Sequence, residues 1–261
     1  MRRLPVAPNR QLGQHFLADE NILGVIGRLA ALEPDDVVLE VGPGLGVLTA
    51  YLADRTTRVH AVELDRSLEP HLRARLGTRT NVDLVFGDAL AVDLGALAPP
   101  PAKLVANLPY NIATPLLVES LDGLPSVANW CVMVQREVAD RLFAQPRTKA
   151  YGSVSVLLQL ATERTGFHPV SRTVFRPQPN VDSALVAFRR TSLPDGYPRL
   201  KRIVNASFAH RRKVLGNSVE LAGVAGREQV AEALAAIGVQ PGVRAEELEP
   251  PQFVELARAL A

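Results

Sequence analysis

Short apolar runs rich in β-branched residues alternate, through the first half of the chain, with stretches whose apolar residues recur at helical spacing. Residues 37–41, 59–63, 82–86, 103–106 and 131–134 read as strands. Residues 47–53 and 115–121 read as helices, the second opened by Thr114 as a cap and Pro115 at the first helical position. Leu68, Leu72 and Leu76 mark another helix, which Pro70 forces to start late or to kink. Strands alternating with helices imply a parallel sheet with right-handed crossovers.

After residue 134 the pattern changes. Residues 135–143 and 153–162 look helical, and two strands, 164–173 and 183–190, flank the proline-rich Phe175-Arg-Pro-Gln-Pro179. This predicts an antiparallel hairpin closing a mostly parallel sheet. Residues 191–198 are rich in turn formers, and everything beyond reads as helix, over 200–219, 227–237 and 251–260. The expected organisation is therefore an α/β domain over 1–191 and a small all-helical domain over 192–261.

Composition narrows the class. The chain has 261 residues, 47% of them hydrophobic, enough to bury a core without staples, and its lone cysteine, Cys131, cannot form an internal disulfide. No run is long and apolar enough to span a membrane, and the first nine residues have no apolar stretch behind Arg2 and Arg3. A cytoplasmic protein without a signal peptide or membrane anchor is expected. The net charge of +2 conceals an asymmetry. Residues 196–219 contain no acid but carry Arg199, Lys201, Arg202, Arg211, Arg212 and Lys213, and Arg2, Arg3 and Arg10 precede the first acid, Asp19. Such an asymmetry suits a face that meets a polyanion, although ordinary solvated helices also produce it.

In open α/β sheets, ligands bind beyond the carboxyl ends of the strands, where strand order reverses. The first four sheet strands end in Glu40-Val-Gly-Pro-Gly-Leu-Gly46, Glu63-Leu-Asp65, Gly87-Asp-Ala89 and Asn107-Leu-Pro-Tyr110. Gly42, Gly44 and Gly46 permit a tight turn, but Val47 stands where a dinucleotide fingerprint needs its last glycine. A dehydrogenase is thereby disfavoured. Glu63, 17 residues after Gly46, is where a carboxylate would take the ribose hydroxyls of a nucleoside, and Asp88 could accept from an adenine amino group; taken singly, Glu63 also reads as a surface carboxylate and Asp88 as a loop cap. Asn107 and the Leu108 carbonyl offer two acceptors that would turn the lone pair of an aromatic amine toward an electrophile. Pro109 holds the turn, and Tyr110 presents a face on which a base stacks. His15, His60, His71, His168 and His210 show no ligand spacing with one another or with Cys131, so no metal is expected.

At these residues the chain resembles the ribosomal RNA adenine N6-dimethyltransferases, most closely their bacterial small-subunit branch. The resemblance also takes in Gly13-Gln-His-Phe-Leu17, Gln135-Arg-Glu-Val138, Phe175 to Ser183 and Arg211-Arg-Lys213. It implies a Rossmann-like methyltransferase sheet, S-adenosylmethionine as cofactor, and dimethylation of adenosines, two adjacent ones in the 3′-terminal hairpin of small-subunit rRNA. It implies that His15 and Leu17 close over the cofactor, Gly42 lies against it, Glu63 takes its ribose and Asp88 its adenine. Asn107 would face the reacting centre, and Phe175 would sandwich the target base opposite Tyr110. Lys201, Arg202, Arg211, Arg212 and Lys213 are assigned to RNA docking, and the protein is expected to act as a monomer on the pre-ribosomal small subunit. The alternatives are a large-subunit rRNA methylase conferring antibiotic resistance and a non-catalytic rRNA-binding assembly factor on the same scaffold.

Overall fold

The computed structural model describes residues 6, 8, 9 and 12–260; Arg2, Arg3 and Arg10 lie outside the described residues. In chain order its elements are β1 (Phe16–Leu17), α1 (Asn21–Leu29), β2 (Val37–Val41), α2 (Val47–Ala53), β3 (Arg58–Glu63), α3 (Glu69–Leu76), β4 (Val82–Phe86), β5 (Lys103–Asn107), α4 (Ala113–Gly123) and β6 (Asn129–Gln135). They continue as α5 (Arg136–Leu142), α6 (Ser153–Ala161), β7 (Thr162–Val170), β8 (Phe175–Arg176), β9 (Ser183–Arg190), α7 (Tyr197–Ala209), α8 (Leu215–Leu221), α9 (Arg227–Ala236) and α10 (Pro250–Ala259).

Seven strands form one sheet in the order β4-β3-β2-β5-β6-β9-β7. Pairing is parallel from β4 across to β6, and β9 runs antiparallel to β6. The parallel strands are apolar because helices bury both of their faces. Val38, Leu39, Val59, Ala61, Leu104 and Val105 are all buried. Across the antiparallel pair, Trp130 opposes Phe188 with the rings stacked 5.2 Å apart, and Trp130 Nε1 donates to Ser120 Oγ at 3.0 Å. Arg190, at the end of β9, donates to the carbonyls of Leu121, Leu124 and Val127, which supplies the acceptor-rich end of α4 with partners.

Three details depart from the sequence expectation. α4 begins at Ala113, two residues before Pro115, because the Pro109 carbonyl accepts from the amides of Ile112 and Ala113 in place of a Thr114 cap. A short second sheet pairs β1 with β8, joining Gly13–Leu17 to the proline-rich segment. The expected helix over 200–219 is two helices. Ser218 Oγ accepts from the His210 amide and donates to the Ala206 carbonyl, which breaks the helix there and leaves Arg211, Arg212 and Lys213 exposed on the connection.

Contacts group the chain differently from a single cut between 191 and 192. One compact unit holds the described residues up to Ala139 together with Arg164–Arg190, and the other holds Asp140–Glu163 with the residues from Thr191 onward. The reason lies in α6, which buries Val154, Ser155, Val156, Leu157, Leu158 and Ala161, and packs against α7 and α10. A helix apolar on so many sides needs partners all around it, and the C-terminal helices supply them. In the same unit the Tyr151 hydroxyl donates to the Leu248 carbonyl at 2.8 Å, with Phe208 at its ring edge. Among the described residues no helix is long and apolar enough to cross a membrane.

Candidate active site

The strand order reverses between β2 and β5, each of which has its other neighbour on the opposite side. A crevice of about 160 Å³ opens beyond the carboxyl ends there, lined by His15, Gly42, Glu63, Asp88, Asn107, Leu108, Pro109 and Tyr110 among others. The four strand ends singled out in the sequence therefore share one cavity. Register accounts for this: Glu40 pairs with Ala61, Glu63 with Phe86, and Asn107 with Met133, so the strands end in step.

The glycine turn makes room for a ligand. Gly42 has a φ of +74°, and a Cβ there would sit 3.0 Å from the Pro109 ring, so the turn and the Asn107–Tyr110 segment can lie this close only with glycine. Glu63 is nearly buried, at 6% exposure, and both carboxylate oxygens are oriented by backbone. Oε2 accepts from the Gly44 amide at 3.0 Å and Oε1 from the Asp65 amide at 2.9 Å. Each oxygen keeps a lone pair for a further donor. Burial raises the Glu63 carboxyl above its ordinary value, and the two amides work against that rise. Asp88 Oδ1 accepts from the Leu90 amide at 2.9 Å, which fixes the loop after β4.

Asn107 Nδ2 reaches the His15 carbonyl at 3.4 Å. A carbonyl can only accept, so the amide presents its nitrogen to His15 and keeps Oδ1 for another donor. The Tyr110 hydroxyl meets Ser183 Oγ at 3.1 Å, which ties the ring to the start of β9, and burial raises its pKa. The His15 ring stands 5.8 Å from the Tyr110 ring at a tilt of 31°. Its Nδ1 lies 2.7 Å from the Pro177 carbonyl and must carry the proton to make that bond.

Two expected members of the crevice are elsewhere. Phe175 does not line it; the ring is 2% exposed and belongs to the apolar cluster with Leu23, Ile26, Met133 and Leu185. Strand period explains this, since Phe175 pairs with Leu17, and both point into the core beneath the small sheet. Leu17 borders only a smaller cavity of about 30 Å³ behind the glycine turn. Conversely, three contributors were not singled out from sequence. Phe16 lines both cavities and lies 3.0 Å from where a Gly44 Cβ would be. Gln14 donates to Asp65 Oδ2 at 2.7 Å, and Ser183 pins Tyr110. Ser183 closes the Phe175–Ser183 segment of the resemblance, yet no local pattern pairs it with Tyr110, 73 residues away.

The basic residues assigned to docking do not form a single cluster. Lys201 and Arg202 lie near the start of α7 and Arg211–Lys213 beyond its end, about 15 Å along the axis. Arg211 is already engaged, at 3.2 Å from Glu246 Oε2 and donating to the Lys149 carbonyl. Arg212 and Lys213 are exposed. Cys131 is buried and its thiol is pushed up to about 12, so it is no nucleophile.

A family model described as "Ribosomal RNA adenine dimethylase" matches residues 7–261. The chain is 48% identical to a protein of Rubrobacter xylanophilus called ribosomal RNA small subunit methyltransferase A, over 97% of this chain and 95% of that one. It is 41% identical to the protein of the same name from Geobacter metallireducens, over 100% and 98%. Among solved structures it resembles the 23S rRNA methyltransferase ErmE, with a TM-score of 0.66 and 31% identity over 94% of this chain and 99% of that one. It shares the fold of a dimethyladenosine transferase from Plasmodium falciparum, with a TM-score of 0.77 at 23% identity, over 93% and 96% of the two chains.

Proposed function

The chain belongs to the ribosomal RNA adenine dimethylase family, and on that premise we propose that it dimethylates N6 of adenosines in small-subunit rRNA, acting as a cytoplasmic monomer. The single observation that carries the chemistry is the convergence of Gly42, Glu63, Asp88 and Asn107-Leu-Pro-Tyr110 on one crevice. The crevice fits S-adenosylmethionine. Its glycine turn leaves space that a Cβ would fill, and Glu63, which lines the same crevice as the Asn107 segment, retains acceptor capacity for a nucleoside donor. In the proposed seat Glu63 takes the ribose hydroxyls, Asp88 the adenine amino group, and Gly42 and His15 the amino-acid part.

Bound there, S-adenosylmethionine supplies an electrophilic methyl on a good leaving group. What remains for the protein is positioning. Asn107 Oδ1 and the Leu108 carbonyl accept from the N6 protons of the target, which directs its lone pair toward the methyl. Pro109 fixes the turn that aligns these two acceptors. Tyr110, held by Ser183, stacks on the extruded base and offsets part of the few kcal/mol lost on unstacking. Phe175, buried below β1, supports this site from the core in the proposed arrangement. We assign the helical unit, through Lys201, Arg202, Arg212 and Lys213, to the phosphate backbone of the rRNA, with Arg211 bracing the connection that carries Arg212 and Lys213.

The small-subunit assignment is supported by the names of relatives at 41–48% identity, against 31% for the 23S rRNA methyltransferase. Purified small and large subunits from a strain lacking the modification, incubated with the protein and labelled cofactor, test it. Label is expected in small-subunit rRNA as dimethyladenosine; label in large-subunit rRNA alone refutes the assignment.

Glu63→Ala removes an acceptor pair and orphans the Gly44 and Asp65 amides. Hydrogen bonds to a charged group contribute about 1.5–3 kcal/mol each, so a loss of roughly 100-fold in affinity for S-adenosylhomocysteine is expected by calorimetry. An unchanged dissociation constant would put the nucleoside elsewhere.

A further inference from the structure

Between Glu163 and Asp182 the chain carries no acid, while Arg164, Arg172 and Arg176 fall inside that stretch. The function above makes no use of these charges. They belong to the same compact unit as the crevice. Arg172 and Arg176, both exposed, lie on the segment that runs from Ser171 to Ser183. What fastens this segment decides where the two cations stand.

The segment is tied to the Tyr110 side of the crevice at two separate places. At its end, Ser183 Oγ meets the Tyr110 hydroxyl at 3.1 Å. The neighbouring Asp182 accepts from the Arg172 amide through Oδ1 at 3.0 Å, and the Asn180 carbonyl accepts from Arg172 Nη1 at 3.2 Å. Arg172 is thereby held against the stretch that pins Tyr110, and the Asn180 bond uses one of its five N–H donors. Nearer the middle, the Pro177 carbonyl lies 2.7 Å from His15 Nδ1, and the His15 ring stands 5.8 Å from the Tyr110 ring. Arg176 precedes Pro177 and opposes Phe16 across the β1–β8 pair. Directly opposed side chains share a face of the pair. Leu17 and Phe175 point into the core, so Phe16 and Arg176 point the other way, and Phe16 lines the crevice. Among the described residues the Arg176 side chain makes no hydrogen bond or ion pair.

We propose that Arg172 and Arg176 form a clamp on the backbone phosphates that flank the target adenosine. The inference rests on the reading of Tyr110 as the face on which that base stacks. Charge divides the site accordingly. The crevice is lined by Glu63 and Asp88 and, among the described residues, by no lysine or arginine. A phosphate is repelled from its interior and attracted to the arginines beside Tyr110, so the base enters while the backbone stays at the mouth. An extruded nucleotide needs that division. A planar guanidinium meets a phosphate through two parallel N–H···O bonds, and two such anchors hold the strand on both sides of the extruded base. These contacts position and carry no sequence preference. They differ from the docking assigned to the helical unit because they grip the phosphates of the reacting nucleotide itself.

Arg176→Gln isolates the effect, because that side chain braces nothing else in the fold. Binding of the full-length protein to protein-free small-subunit rRNA and to whole small subunits, both lacking the modification, is followed as salt rises. The variant is expected to bind both about fivefold more weakly at about 0.1 M salt, one phosphate's share of counterion release. Its plot of log affinity against log salt should be shallower by about 0.7–0.9. Arg176→Lys, which keeps the charge, should restore the slope, and adding Arg172→Gln to Arg176→Gln should double the change. An unaltered affinity for S-adenosylhomocysteine checks that the crevice is intact. An unchanged slope for Arg176→Gln overturns the clamp. So does weaker binding to whole subunits with unchanged binding to the protein-free rRNA, which would put a ribosomal protein against Arg176. Failure of the stacking reading looks different: Tyr110→Ala would then transfer methyl groups at the normal rate, whatever Arg176→Gln does to the slope.

Discussion

Asn107→Ala is expected to lower the rate of methyl transfer by about 100- to 1000-fold, the loss typical of removing one preorganised polar group from a reacting centre. The reason is geometric. Asn107 ends β5 at the switch point, and its Nδ2 is committed to the His15 carbonyl, which leaves Oδ1 as the acceptor for a target amine in the proposed arrangement. Alanine removes that acceptor and also frees the His15 segment, so cofactor affinity should weaken modestly as well. Affinity for RNA should not change, because phosphate contacts position the substrate and none of them involves Asn107 in the proposed arrangement. Single-turnover transfer with saturating cofactor, read beside RNA binding by filter retention, separates the two. Transfer within threefold of the unaltered protein would remove Asn107 from the reacting centre.

Phe175→Ala should act on stability. A buried phenyl ring replaced by a methyl group costs about 3–5 kcal/mol through lost burial and the cavity left behind, and Phe175 is 2% exposed among Leu23, Ile26, Met133 and Leu185. At this chain length the melting temperature should fall by roughly 10 °C. Phe175→Leu, which fills most of the volume, should recover most of it and should transfer methyl groups at a near-normal KM for RNA. A stacking role predicts the reverse: little change in melting for either variant, and a raised KM for both. Differential scanning calorimetry with steady-state kinetics on the two variants decides between them.

Much of the candidate site was legible because parallel strands in register deliver their last residues to one edge. Once residues 37–41, 59–63, 82–86 and 103–106 read as strands, the residues just after them had to meet, and Gly42, Glu63, Asp88 and Asn107 do. What was not legible depends on facing direction and on distant partners. Phe175 belongs to a motif that reads as functional, yet its pairing with Leu17 turns it inward. The motif also hid the small sheet itself, since two-residue strands have no periodicity to detect. Residues 200–219 read as one helix because no proline interrupts them. The break comes from the Ser218 side chain competing for backbone partners at Ala206 and His210.

Sequence by itself determined the alternation of strands and helices, the glycine turn that excludes a dinucleotide pattern, and the carboxylates and amide at successive strand ends. These are local properties, fixed by side-chain period, by φ preferences and by the chemistry of each residue. Only the tertiary structure decided which side chains face the crevice and which face the core, that α6 packs with the C-terminal helices, and that Glu40 is buried beside a cavity with its Oε2 left unpaired. Those outcomes depend on contacts between residues far apart in the chain, whose pairing no local pattern encodes.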